Sequence, residues 1–106
     1  MDLSRIEDYF RGWIIGDFEP SLLKTSEFEV GILKHSKNEF WAPHVHKLVT
    51  EYNVLISGLL LLNDYLIHPG DIFVIKPGEL STPKFLEDCT ILVIKTPSIP
   101  SDKYII

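Results

Sequence analysis

Apolar and polar residues alternate with a period of two along much of this chain, the spacing of strands that bury one face. From Ser26 to His35, Phe28, Val30 and Ile32 fall on one side and Glu27, Glu29 and Gly31 on the other, which predicts a half-buried strand. The stretch His44 to Gly58 alternates too. If it is extended, His44 and His46 point the same way, Glu51, Asn53 and Leu55 share a face, and Tyr52, Val54 and Ile56 take the opposite one. Leu59 to Leu62 and Tyr65 to Ile67 flank Asn63-Asp64, a two-residue hairpin turn. The Pro-Gly pairs at Pro69-Gly70 and Pro77-Gly78 are type II turn signals that bracket the short apolar run Ile72 to Ile75. Cys89 to Lys95 predicts a further strand, and the proline-punctuated tail from Pro97 an edge segment.

Only the beginning of the chain has a different period. Leu3, Ile6 and Phe10 at i, i+3 and i+7, with Asp2 or Ser4 as N-cap, predict a short helix. Gly12 and Gly16 interrupt it, and Trp13-Ile14-Ile15 needs burial, either across the barrel end or in a subunit contact. Residues 17 to 25 predict an irregular turn around Pro20. The expected organisation is a helix and arm over residues 1–25 and a β-barrel over 26–106, one domain in all. Many short strands separated by Gly and Pro turns make the fold all-β, a sandwich or jelly roll.

Composition narrows the function classes. The formal charge of −5 and scattered basic residues argue against nucleic acid or an anionic membrane as partner, since the phosphate contribution to binding would be repulsive. No apolar run approaches the roughly twenty residues of a membrane helix. A single cysteine, Cys89, cannot form an internal disulfide, and the acidic N-terminus lacks a signal-peptide pattern, so a cytoplasmic domain is expected.

The chemistry-bearing stretch is His44-x-His46, four residues, Glu51, six residues, Gly58. Two imidazoles and a carboxylate converging inside a barrel are a ligand set for a divalent transition metal. This spacing resembles the first motif of the cupin superfamily, with Asn38 where that motif opens on a glycine. The second cupin motif is similar to the run from Gly70 through Pro77-Gly78, but its first proline is Lys76, its histidine is Ser81 and its asparagine is Phe85. Together the two motifs cover residues 38 to 85. The resemblance implies a double-stranded β-helix, the cupin jelly-roll barrel, with a short N-terminal helix. It implies iron, manganese, nickel or zinc on His44, His46 and Glu51, with Asn53, Ser81 and Trp41 available to a small-molecule ligand, and it implies a homodimer. Without the third histidine, metal occupancy is open: His44 and His46 are equally readable as interior histidines satisfied by Glu51, Asn53 or Ser81, or as a general acid or base.

Three functions are compatible with these residues. One is a metal-dependent enzyme acting on a small polar molecule. Another is a metal-free sugar-modifying enzyme, since His44-x-His46-Lys47 is similar to the corresponding segment of cupin-type ketoisomerases of nucleotide-linked sugars. The last is a non-catalytic binding or sensing module. Phe40 and Trp41, just before the motif, either fill a barrel end or line a pocket mouth; His35 and His68 are expected at the surface.

Overall fold

The computed structural model describes residues 1–106 and contains eleven strands: β1 (Trp13–Gly16), β2 (Leu23–Lys24), β3 (Glu29–His35), β4 (His44–Val45), β5 (Thr50–Ser57), β6 (Leu60–Leu62), β7 (Tyr65–Ile67), β8 (Ile72–Ile75), β9 (Pro83–Phe85), β10 (Cys89–Thr96) and β11 (Tyr104–Ile105). Six of them form one sheet in the order β2-β1-β3-β10-β5-β8. Facing it are β7-β6-β9 and the small ladder β11-β4, with a backbone bridge between His44 and Ser81 joining the segment before β9 to β4. Between these layers lies a core of Leu55, Leu60, Leu62, Ile67, Ile75, Phe85, Cys89, Ile91 and Val93, against which Trp13, Leu33, Trp41 and Phe73 pack.

The turns form for the expected reasons. Asn63 and Asp64 both take positive φ (48° and 71°), the type I′ geometry whose twist matches the strands it joins. Gly70 and Gly78, at φ 90° and 84°, occupy the left-handed positions of the two Pro-Gly turns. The predicted N-terminal helix is replaced by two single 3₁₀ turns, Ile6–Asp8 and Phe10–Gly12. Tyr9 between them is extended (φ −115°, ψ 154°) and Arg11, inside the second, is left-handed (φ 53°), so no continuous turn can propagate. The apolar spacing that suggested a helix has no face to cover, for Leu3 and Phe10 are exposed.

A second departure concerns β3. A half-buried strand ordinarily turns its apolar set inward, yet Glu29 and Gly31 are buried while Ile32 is exposed. The reason lies in what the sheet encloses. In register across the strands, one inward row reads Gly31, Val93, Asn53, Phe73, and the next reads Glu29, Lys95, Glu51, Ile75. Lys95 thus sits between two carboxylates, so this end of the interior is ionic rather than oily. Gly31 is small because the Trp13 ring lies on it: a Cβ there would come within 2.7 Å of the ring. Trp13 is therefore packed into the barrel side of the sheet and is not a free apolar arm.

The outer face of the large sheet is correspondingly apolar. Ile32, Leu92, Val54 and Ile72 form one row and Val30, Ile94, Tyr52 and Val74 the next. No helix of the chain is long and apolar enough to cross a membrane.

Candidate functional site

The residues singled out in the sequence meet at the ionic end of the barrel. His44 and His46 leave β4 on the same side, both buried, with ring centroids 5.6 Å apart and planes nearly perpendicular at 79°. Glu51 and Asn53 reach the same space from β5, and Ser81 is held there by a two-way backbone pairing with His44, at 3.1 and 2.8 Å. With Trp41 they line a cavity of about 780 Å³, a size that accommodates a small organic molecule. Phe40, next to Trp41, is exposed and takes no part. His68 is exposed at its turn, as expected.

The hydrogen-bond partners fix the protons. His46 Nδ1 meets the Asp102 carbonyl, which only accepts, so Nδ1 carries a hydrogen. Its Nε2 lies 3.1 Å from Glu51 Oε2. A bare nitrogen lone pair facing a carboxylate would be repulsive, so the stable arrangement has the second proton on Nε2 and an imidazolium paired with Glu51. The hydrogen bond to Glu51 accordingly raises the His46 pKa above 6.5, burial working against it. Burial pushes the Glu51 carboxyl upward, but the His46 hydrogen bond and the Lys95 charge more than offset this and hold it below its ordinary value. His44 behaves oppositely. Burial lowers its pKa, and its Nδ1–H, donated to the Ala42 carbonyl at 3.1 Å, only partly compensates. The two neighbouring imidazoles are thus shifted in opposite senses, His46 toward the charged form and His44 toward the neutral one.

The segment carrying the histidines is held from the far end of the chain. The Asp102 carboxylate accepts three backbone N–H bonds, from Lys47 (3.1 Å), Leu48 (2.8 Å) and Val49 (2.9 Å). Nothing in the sequence points to this residue, because 53 to 56 positions separate it from its partners. His35, expected at the surface, is instead only 12% exposed, stacked on Phe85 at 4.4 Å and donating Nδ1–H to Glu39 Oε2 at 2.7 Å. The Trp41 indole donates to the same oxygen at 2.6 Å. Burial opposes ionisation of Glu39, yet these two bonds, with a third from the Ser36 N–H, lower its pKa to about 2. Glu39 therefore fixes the orientation of Trp41 at the cavity wall.

The three residues implied as metal ligands share this space without forming a three-donor centre: nowhere in the chain do three His, Cys, Asp or Glu groups converge so that one ion could be held. Glu51 is hydrogen-bonded to His46, and Ser81, beside His44, supplies no third imidazole. No metal centre of the kind the motif implies is shown at these residues.

No protein-family model and no curated protein matches the sequence. Solved structures do match in shape. An uncharacterized conserved protein with a double-stranded β-helix domain from Klebsiella pneumoniae superimposes with a TM-score of 0.71 at 18% identity, over 97% of this chain and 89% of that one. KdgF from Halomonas sp. gives a TM-score of 0.65 at 20% identity, over 72% and 74%. A sugar phosphate isomerase from a cupin superfamily, from Silicibacter pomeroyi, gives 0.56 at 21% identity; the match covers 69% of this chain and 52% of that one. At these identities the likeness speaks for architecture alone. The sheet order, the enclosed core and these neighbours agree: the chain has the cupin fold, a double-stranded β-helix.

Proposed function

We infer that this protein binds a small polar molecule inside its barrel and that the His46–Glu51 couple meets it as a proton donor and acceptor, without a resident metal. The observation that carries this is the buried 3.1 Å contact between His46 Nε2 and Glu51 Oε2 at the wall of a cavity large enough for a ligand. Burying an ion pair costs several kcal/mol of lost hydration per ion, which the mutual attraction at best repays, so the pair is weakly explained by stability alone. Perturbed acids and bases in a cleft are what proton-transfer sites use. The neutral His44 offers an uncharged hydrogen-bonding nitrogen beside them, and Asn53 and Ser81 add polar groups. The test is a titration of the protein, followed by NMR, with hexose-sized polyols and their acids. Shifts confined to residues lining the barrel, lost in His46→Gln, are expected; shifts scattered over the outer face would refute the assignment.

A second reading keeps iron, manganese, nickel or zinc on His44, His46 and Glu51. One observation favours it: both imidazoles turn Nδ1 to a backbone carbonyl, the arrangement that leaves Nε2 for a metal. Elemental analysis of native protein beside His46→Ala decides between the readings, and equal metal content removes the second. For a partner protein we infer a second copy of the chain, seated on the apolar rows of the outer sheet face rather than on Trp13.

A further inference from the structure

Beyond the imidazole–carboxylate couple, the cavity is lined by four basic residues from distant parts of the sequence: Arg11 within the second 3₁₀ turn, Lys34 on β3, Lys95 on β10 and Lys103 before β11. These are 4 of the 10 basic residues in a chain with 15 acidic ones, and Lys34 is exposed to solvent. Their partners differ. Lys95 lies between Glu29 and Glu51 in register, with Nζ 3.8 Å from Glu29 Oε1, and the second Glu29 oxygen accepts from Ser98 at 2.8 Å. Glu51 is paired with His46. The charges of Glu29, Lys95, Glu51 and His46 therefore cancel among themselves.

Arg11 and Lys103 have no such partner. Neither side chain makes an ion pair or a hydrogen bond, and both lie against the indole of Trp41, the Lys103 ammonium 3.7 Å and the Arg11 guanidinium 5.9 Å from a ring centroid. Lys103 is half-buried. Of the carboxylates nearby, Glu39 is engaged by His35, Trp41 and the Ser36 N–H; Glu7 and Glu19 sit on the exposed rim, Glu19 already paired with Lys24. Two cations without an ion-pair partner around one aromatic ring at a cavity repel each other: burial, with Lys95 and Arg11, lowers the Lys103 pKa, and Glu51 offsets this only in part. An oxyanion between them would relieve that repulsion.

We propose that Arg11 and Lys103, flanking Trp41, form an anion subsite that receives the carboxylate or phosphate of a small acidic molecule whose polar body extends toward His46 and Glu51. This names the ligand class of the site inferred above and rests on that reading. Arg11 can grip two oxygens at once with its planar fork, Lys103 supplies a point charge, and the Trp41 face takes the apolar side of the ligand.

The test uses the intact chain and three probes of matched size: gluconate, glucose 6-phosphate and uncharged sorbitol, followed through the Trp41 indole N–H resonance and by calorimetry. The acids are expected to bind at least tenfold more tightly than sorbitol. In Lys103→Gln and Arg11→Gln that advantage should disappear, the acids falling to the affinity of sorbitol measured on the same folded variant. The better of the two acids identifies carboxylate or phosphate as the preferred group. If sorbitol binds as well as the acids, or both variants keep the preference, the anion subsite is wrong while the polar pocket stands. If no probe moves the Trp41 resonance at millimolar concentration, the subsite is overturned; if His46 is silent to sorbitol as well, the pocket reading falls with it.

Discussion

Removing the carboxylate of Asp102 should loosen the whole histidine segment. The group accepts N–H bonds from Lys47, Leu48 and Val49, and its own backbone carbonyl holds His46 Nδ1. Lys47 and Leu48 are exposed, so water can replace the lost acceptor there. Val49 is fully buried, and its N–H would be left unsatisfied. One stranded buried donor costs about 1–3 kcal/mol, and the exchange of two charge-assisted bonds for water adds about 1 more, so Asp102→Ala should lose about 3 kcal/mol. For a domain of this size that is a fall of about 15 °C in Tm. Asp102→Asn keeps one acceptor oxygen and should lose about 1 kcal/mol. The assay is urea denaturation, repeated across pH. Burial opposes ionisation of Asp102, but the three N–H bonds hold its pKa below 3.8. Its contribution is therefore present above pH 3.8 and lost as pH falls through the lower folded value, so wild type and Asp102→Ala should converge in acid. A loss in Asp102→Ala below about 0.5 kcal/mol, within the range of ordinary surface changes, would refute the idea that the C-terminal segment fixes the site.

Other consequences can be checked separately. Gly58 has φ 96°, and a Cβ there would lie 2.2 Å from the Asp88 carbonyl oxygen; Gly58→Ala should cost about 3 kcal/mol by denaturation, and a neutral result would contradict the tight turn after β5. Glu51→Gln leaves His46 without its ion-pair partner. The His46 contribution is fully present below pH 6.5 and fades as pH rises through its raised pKa, whereas that of Glu51 is present above 4.5 and fades as pH falls through its lowered one. The stability difference between wild type and Glu51→Gln should therefore peak between those two values; a difference that is flat with pH would argue against the pair. Light scattering should find a dimer that Ile72→Lys with Val74→Lys splits into folded monomers, and a wild-type monomer at high concentration would remove the outer sheet face as the contact.

Much of this architecture was legible because strands, turns and the motif spacing are local properties. Asn63-Asp64 and the two Pro-Gly turns act through their own φ angles, and the inward set Glu51, Asn53, Leu55 follows from a period of two. Where the reading failed, the deciding interaction was remote. The facing of β3 depends on Lys95 and Ser98 satisfying Glu29, some 66 to 69 residues away, and no rule confined to residues 26–35 can see that. The helix expected at Leu3 to Phe10 lacks a surface to pack on, which periodicity alone does not reveal. Within the site the histidines, Glu51, Asn53, Ser81 and Trp41 are brought to one cavity from the motif region, whereas Arg11 and Lys103 enter it from the two ends of the chain and Asp102, also near the C-terminal end, holds His46 from outside. His35 looked like a surface residue because its partners Glu39 and Phe85 are common residue types with no motif of their own.

The most direct measurement of the central idea, a charged imidazole–carboxylate couple facing the hollow of the barrel, is a long-range ¹H–¹⁵N spectrum of the histidine rings titrated across neutral pH. His46 should hold both ring protons and titrate above 6.5, while His44 remains neutral and titrates below it. Two rings titrating together near 6.5, as exposed histidines do, would contradict the account.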